Sequence, residues 1–227
     1  MLEKILITGA SSGIGLALTK KLVEQRLRVA VNARSLDGLG DLPVEKLPGD
    51  LTAPPVAEHV VTGAQEKLGG LDAVIHCAGV GLIKSTLETS DADFTRILNV
   101  NARGTFLVAR EACRLMSAAG RGLFVTIPGT LGRAAMKNAA AYCASKYAVT
   151  GMVKCFAQEF QRSGLRFSLI HFGGVDTPFW NGIGMNVQRD RLIPVDVAAD
   201  MIWHAINVPE HLVPSEVVLQ PVGHQII

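Results

Sequence analysis

Cysteine is scarce in this 227-residue chain, and Cys77, Cys113, Cys143 and Cys155 show no Cys-x-x-Cys spacing. All four fall in stretches that read as buried strand or helix, so reduced core thiols are expected rather than disulfides. The six histidines, His59, His76, His171, His204, His211 and His224, are scattered. None pairs at helical spacing with a nearby carboxylate or cysteine, and no metal is expected. A formal net charge of +2 comes without any basic tract, which argues against nucleic acid and anionic membrane as partners. No apolar run approaches the roughly 20 residues of a membrane span. The N-terminus enters a strand pattern at once, without the layout of a signal peptide. A soluble, cytoplasmic protein is the expectation. Internal repeats, low-complexity tracts and long linkers are also missing.

What is present is apolar residue in quantity, 48% of the chain, enough for a substantial core. Strand-like runs occur at Lys4–Thr8, Arg28–Asn32, Val44–Leu47, Leu71–His76, Gly122–Ile127, Arg166–His171 and Glu216–Gln220. Helical patterns lie between them, near Gly13–Gln25, Pro55–Leu68, Ser90–Met116, Ala139–Ser163 and Pro194–Val208. Such alternation predicts crossover units and a parallel sheet covered on both faces, in one domain spanning 1–227.

The first strand runs into Thr8-Gly9-Ala10-Ser11-Ser12-Gly13-Ile14-Gly15, and Ile14, Leu18 and Leu22 then share one helical face. This is how a chain aims a helix N-terminus at a phosphate. Gly9 frees the turn, Gly13 admits a pyrophosphate against the backbone, and Gly15 lets helix and strand pack closely. A glycine loop alone is weak evidence. A second motif, Tyr142-Cys143-Ala144-Ser145-Lys146, lies far downstream. Its Tyr and Lys stand four apart, on one helix face. With two Tyr and nine Lys in the chain, chance supplies only ~0.08 such pairs.

Together, Thr8-Gly-x-x-x-Gly-Ile-Gly and Tyr-x-x-x-Lys resemble the short-chain dehydrogenase/reductase family, over about Lys4 to Gly223. The resemblance implies a Rossmann-type, doubly wound α/β sheet of about seven strands with helices on both faces. It also implies a nicotinamide cofactor, cradled by Gly9, Ser11, Ser12, Gly13, Ile14 and Gly15. At the tip of the second strand Ala33 stands where NAD-preferring relatives carry Asp, and Arg34 follows. A guanidinium there suits a 2′-phosphate, so NADP(H) is expected over NAD(H); the other reading is a solvated surface charge. Asp50, followed by Leu51, matches the acidic position near the adenine amino group, though Asp also favours turns on its own account. His76-Cys77-Ala78-Gly79 keeps only the last two residues of the family's Asn-Asn-Ala-Gly, so Ala78 and Gly79 are assigned to the cofactor and both asparagines are lost. Gly173, Val175 and Thr177 match the family's Pro-Gly-x-Val-x-Thr, with Phe172 replacing its proline. By resemblance, Val175 backbone and the Thr177 side chain hold the nicotinamide carboxamide.

For the chemistry, the resemblance assigns Tyr142 as proton donor or acceptor for a carbonyl or alcohol oxygen. It assigns Lys146 to tuning that phenol and binding the nicotinamide ribose. An ammonium ~4 Å away is worth about 4 kcal/mol at an effective dielectric of ~20 before desolvation, so a lowered phenol pKa is expected. Leu98–Gly104 looks like the family's helix-kink segment, and Asn101 the position that holds a water linking the lysine to solvent; an Asn satisfied in the core is the alternative. The family's substrate-binding serine, thirteen residues before the tyrosine, is here Gly129, with Thr130 one step later. In a regular strand that step points to the opposite face. Losing one such donor typically costs 10²–10³ in rate, and restoring it as Gly129→Ser is expected to raise turnover. A pocket from Val80, Leu82, Leu131, Met136, Phe179, Trp180 and Met185 would take a small carbonyl or alcohol substrate. A homodimer or homotetramer is implied through Ser90–Met116 and Ala139–Ser163, with Leu107, Ala109, Val149, Val153 and Phe156 as apolar surface. The competing function is a nucleotide-binding sensor or interaction protein that kept the fold and lost efficient chemistry.

Overall fold

The structure, a computed structural model, describes residues 2 to 225; Met1, Ile226, Ile227 and the His224 side chain lie outside the description. Seven strands form one parallel sheet in the order β3-β2-β1-β4-β5-β6-β7. They are β1 Lys4–Thr8, β2 Arg28–Asn32, β3 Glu45–Lys46, β4 Ala73–His76, β5 Gly122–Thr126, β6 Leu165–Phe172 and β7 Glu216–Leu219. The helices are α1 Gly13–Glu24, α2 Pro54–Leu68, α3 Asp91–Leu98, α4 Gly104–Ala118, α5 Ala140–Glu159 and α6 Val195–Ile206.

The inner strands are buried on both faces, which is why they read as continuous apolar runs. Alternate residues go to opposite layers. Leu6, Val74 and Phe124 pack against α2, α4 and α5, whereas Ile5, Ile7, Ile75 and Val125 pack against α1 and α6. Chain order reverses between β1 and β4, so a crevice opens beyond their carboxyl ends, where ligands of such sheets bind. Among the described residues no helix is long and apolar enough to cross a membrane.

Three expectations change. The helical stretch 90–116 is two helices joined by a π-helical turn, Asn99–Arg103; Ser90 starts the first with a capping box, its Oγ accepting from Asp93 N at 3.1 Å. Leu107, Ala109, Val149 and Val153 are not surface but core, each 5% exposed or less. The apolar side chains that α4 and α5 do expose are Phe106 and Tyr147. Cys155 is exposed, unlike the other three thiols, and all four are free.

Candidate active site

Backbone contacts assemble the crevice. Gly9 has φ +67°, and a Cβ there would lie 2.7 Å from Ala78 N, so the loop after β1 presses on the loop after β4. A Cβ on Gly15 would fall 2.8 Å from the Gly9 carbonyl carbon, which is how α1 approaches its own strand. Across the crevice, the Cβ position of Gly13 is 3.3 Å from Thr177 Cβ. Helix α1 begins after Ser12 with no side-chain cap bond and no acidic residue in its first turn. Its leading N–H groups are left for an anion. Ser11 holds the loop after β2 close, since its carbonyl abuts Gly38, while Ile14 packs partly on the core. Open backbone, uncapped donors and converging loops fit the diphosphate of a dinucleotide.

At the far end, Arg34 and Asp50 line a cleft of about 540 Å³ with Thr52, Val80, Arg96 and Val100. Asp50 Oδ1 accepts from Thr52 N and Thr52 Oγ1, each at 2.9 Å. Those two bonds, then more weakly the Arg34 charge, hold its carboxyl below the usual range. Asp50 therefore caps a turn in addition to facing the cleft. Leu51 is 7% exposed and belongs to the core, so only its backbone is open to a ligand. Arg34 is exposed and makes no salt bridge among the described residues.

Near the sheet's centre, a Cβ on Gly79 would lie 3.3 Å from Asn101 Oδ1 and 3.6 Å from Lys146 Nζ. Asn101 is buried in the π-helical turn, and its amide is fully engaged. Oδ1 accepts from Val80 N at 2.8 Å, and Nδ2 donates to Val80 O at 2.9 Å and Ser145 Oγ at 3.0 Å. The side chain ties the β4 loop to α5, as the core-satisfied alternative anticipates. Its carbonyl, which accepts from Thr105 Oγ1 at 2.5 Å, is what remains for a water.

Tyr142 and Lys146 share one face of α5, with Lys146 Nζ 5.6 Å from the phenol ring centroid. Lys146 donates to Ile127 O at 3.0 Å, and burial lowers its pKa to about 8. The expected lowering of the Tyr142 pKa does not occur: burial pushes the phenol up instead. The ammonium is turned to a carbonyl rather than the phenol, and desolvation of the phenolate wins.

Gly129 lies beyond the end of β5, so the alternation of a strand does not apply to Thr130. The glycine sits at φ +72° and Thr130 opens a short 3₁₀ turn, Thr130–Gly132. The Gly129 carbonyl accepts from His171 Nδ1 at 2.8 Å, a contact no sequence signal marked. Buried His171, neutral because burial lowers its pKa, places Nε2 3.5 Å from Glu216 Oε2. A second histidine, His76, takes the place of the first asparagine of the Asn-Asn-Ala-Gly pattern. Its Nδ1 pairs with Thr8 Oγ1 at 2.8 Å, its Nε2 is buried without a partner, and burial plus the Lys146 charge push its pKa down to about 3.

On the last loop, Gly173 N donates to Leu219 O at 2.9 Å, continuing the β6–β7 pairing. The Val175 carbonyl accepts from Trp180 Nε1 at 2.8 Å, and Thr177 is buried beside the glycine loop. These contacts join Gly9 to Ala78, Gly13 to Thr177, and Gly79 to Asn101 and Lys146, with Arg34 and Asp50 together on the cleft beyond, whereas the Leu51 side chain and the Asn101 amide face inward.

A glycine cradle at the switch point of a parallel sheet, with a Tyr-x-x-x-Lys helix beside it, defines a nicotinamide-dependent oxidoreductase. The chain belongs to the short-chain dehydrogenase/reductase family, whose short chain dehydrogenase model matches residues 3–188. It is 30% identical to the glycine betaine reductase ATRR of Emericella nidulans over 95% of this chain, which spans only 18% of that longer protein. An uncharacterized oxidoreductase of Staphylococcus aureus is 28% identical, with 95% of this chain and 96% of that one covered. The alcohol dehydrogenase of the archaeon Thermococcus sibiricus, solved with 5-hydroxy-NADP, superposes with a TM-score of 0.91 over both whole chains at 23% identity. Other neighbours of this fold were solved with NADP or NADPH, and one with NADH, so the choice between cofactors rests on residues rather than on the fold.

Proposed function

We propose that this protein is an NADP(H)-dependent reductase or dehydrogenase acting on a small, uncharged carbonyl or alcohol, with Tyr142 as its general acid/base. The observation that carries this reading is the placement of Tyr142 and Lys146 on one face of α5, beside Gly79 and Asn101. When bound, the nicotinamide supplies or accepts the hydride. Gly9, Ser11, Ser12, Gly13, Ile14 and Gly15 hold the diphosphate, Arg34 the 2′-phosphate, and Asp50 with the Leu51 backbone the adenine. Ala78 and Gly79 pass close to the ribose. Gly173 shapes the loop from which Val175 N–H and Thr177 Oγ1 hold the carboxamide.

In the reducing direction, Tyr142 Oη gives its proton to the substrate oxygen as that oxygen gains charge. A phenol raised by burial is protonated at neutral pH, which suits a donor. The resulting phenolate lies beside Lys146, whose pKa of about 8 lets it pass a proton on near neutrality. The Asn101 carbonyl holds the water that completes the path. Thr130 stands in for the missing serine, because the positive φ of Gly129 releases it from the strand's alternation. Four unpaired cysteines suit a reducing cytoplasm.

Loss of NADPH absorbance with a panel of ketones, aldehydes and diketones tests the assignment. Tyr142→Phe is expected to lower kcat about 100-fold or more, with NADPH still bound. The second reading, a nucleotide-binding sensor, is favoured by one observation, the absence of a hydroxyl at Gly129. Silence of the whole panel, with binding intact, would decide for it.

A further inference from the structure

Between β6 and α6, residues 177–193 form the segment that brings Thr177 to Gly13 and Phe179 to Tyr142. Phe179 leads this segment. Its ring centroid is 6.0 Å from that of Tyr142, tilted by 40°, and 5.3 Å from that of Trp180, almost perpendicular at 85°. The ring is held from behind. Trp180 is pinned through Nε1 to Val175 O at 2.8 Å and lies against Gly174, where a Cβ would be 3.1 Å from its Cζ2. Arg189 clasps the turn: Nη1 donates to Asp176 Oδ1 at 2.6 Å and Thr177 O at 2.9 Å, and Nη2 to Asn181 Oδ1 at 2.7 Å.

The ring also rests on Gly81. This glycine has no positive φ, so its backbone does not require glycine. Its space does. A Cβ there would overlap Phe179 Cζ and Cε2 and come within 2.9 Å of Ile183 Cδ1. Gly81 is the seat of Phe179, and the ring's position beside Tyr142 is set before any substrate arrives. A wall organised in advance loses little entropy on binding.

We propose that Phe179, seated on Gly81, determines substrate specificity and selects carbonyl compounds with a flat, conjugated face next to the carbonyl, as in aryl ketones. The inference rests on the proposed function for the position of the reacting oxygen at Tyr142. A substrate oxygen at the Tyr142 hydroxyl brings its carbon skeleton alongside the neighbouring ring. Aromatic pairs gain from offset or edge contacts at about 4.5–7 Å beyond what area alone supplies. Ionic substrates are disfavoured, since Arg189, the clasp of this segment, is already taken up by Asp176 and Asn181, and a buried unpaired charge is costly.

The test compares phenyl methyl ketone with cyclohexyl methyl ketone, titrated calorimetrically into the protein saturated with NADP+. The two have equal carbon counts, and the puckered ring offers at least as much apolar surface. A preference for phenyl therefore isolates the flat face. The wild-type protein is expected to bind the phenyl ketone about threefold to tenfold more tightly. Phe179→Leu should abolish the preference. Gly81→Ala should abolish it too, because the new Cβ unseats the ring, and the double variant should do no more than Phe179→Leu alone. Equal or tighter cyclohexyl binding by the wild type, or an unchanged preference in Phe179→Leu, overturns the proposal. NADPH oxidation is read separately. A phenyl preference without turnover removes the proposed function and leaves Phe179 as the determinant of ligand choice alone, whereas turnover without the preference overturns the inference and leaves the proposed function standing.

Discussion

At position 129 a serine would have to adopt φ +72°, and its Cβ would approach Phe172 O at 3.3 Å. A left-handed conformation of this kind typically costs about 1–3 kcal/mol for a non-glycine residue. The sequence alone favours a gain from Gly129→Ser; the backbone reverses that. Gly129→Ser is expected to lower stability by at least about 1 kcal/mol and to leave kcat unimproved, measured by urea denaturation and steady-state kinetics. Thr130→Val is expected to lower kcat about tenfold or more, with little change in NADPH affinity. A harmless Thr130→Val would refute the threonine's role. Arg34 carries the second residue-scale prediction. A charge-assisted phosphate contact of roughly 1.5–3 kcal/mol should make NADPH bind at least about tenfold tighter than NADH, and Arg34→Ala should erase most of that gap. Calorimetry showing NADH bound as well as NADPH by the wild type would contradict it.

Among the elements, β4 ends in a histidine with an unusual environment. His76 is 2% exposed, and its pKa is pushed to about 3 from 6.5. The folded state keeps it neutral while the unfolded chain takes up a proton below pH 6.5. Stability therefore falls as pH drops through the window from about 6.5 to 3. His76→Asn removes this linkage, so the variant should lose less stability than the wild type between pH 7 and pH 5, by about 1–2 kcal/mol in unfolding free energy from urea denaturation. Equal losses would mean His76 is not the titrating group. The π-helical turn between α3 and α4 has a comparable logic. Asn at mid-helix is a weak helix former, and the family resemblance marked this segment as a kink. The extra residue per turn was not, because it follows from Asn101 reaching Val80 and Ser145, 21 and 44 positions away.

For the whole molecule, the packing of α4 and α5 against the sheet decides what is left for association. Of the five apolar positions that look like surface in sequence, Leu107, Ala109, Val149 and Val153 are core and Phe156 is partly buried, and Phe106 and Tyr147, 38% and 46% exposed, are the large apolar side chains those helices offer. We expect a homodimer or homotetramer at micromolar concentration, by light scattering, and Tyr147→Asp to shift it toward monomer. A monomeric wild type would remove this expectation.

The alternation of strand and helix, the glycine cradle and the Tyr–Lys pair were readable in one dimension because each depends on neighbours a few residues apart. Periodicity sets which face is buried, a glycine loop sets a turn, and an i,i+4 pair shares a helix face whatever the rest of the chain does. What only the tertiary structure decided are the quantities that depend on distant groups. The phenol of Tyr142 is raised rather than lowered because burial dominates and the Lys146 ammonium is drawn to Ile127 O. Gly129 is fixed in a left-handed conformation with its carbonyl held by His171, 42 residues on. Gly81 is glycine for the sake of a ring 98 residues later in the chain. Desolvation and steric contact act through space, and their sign is set when the chain closes on itself.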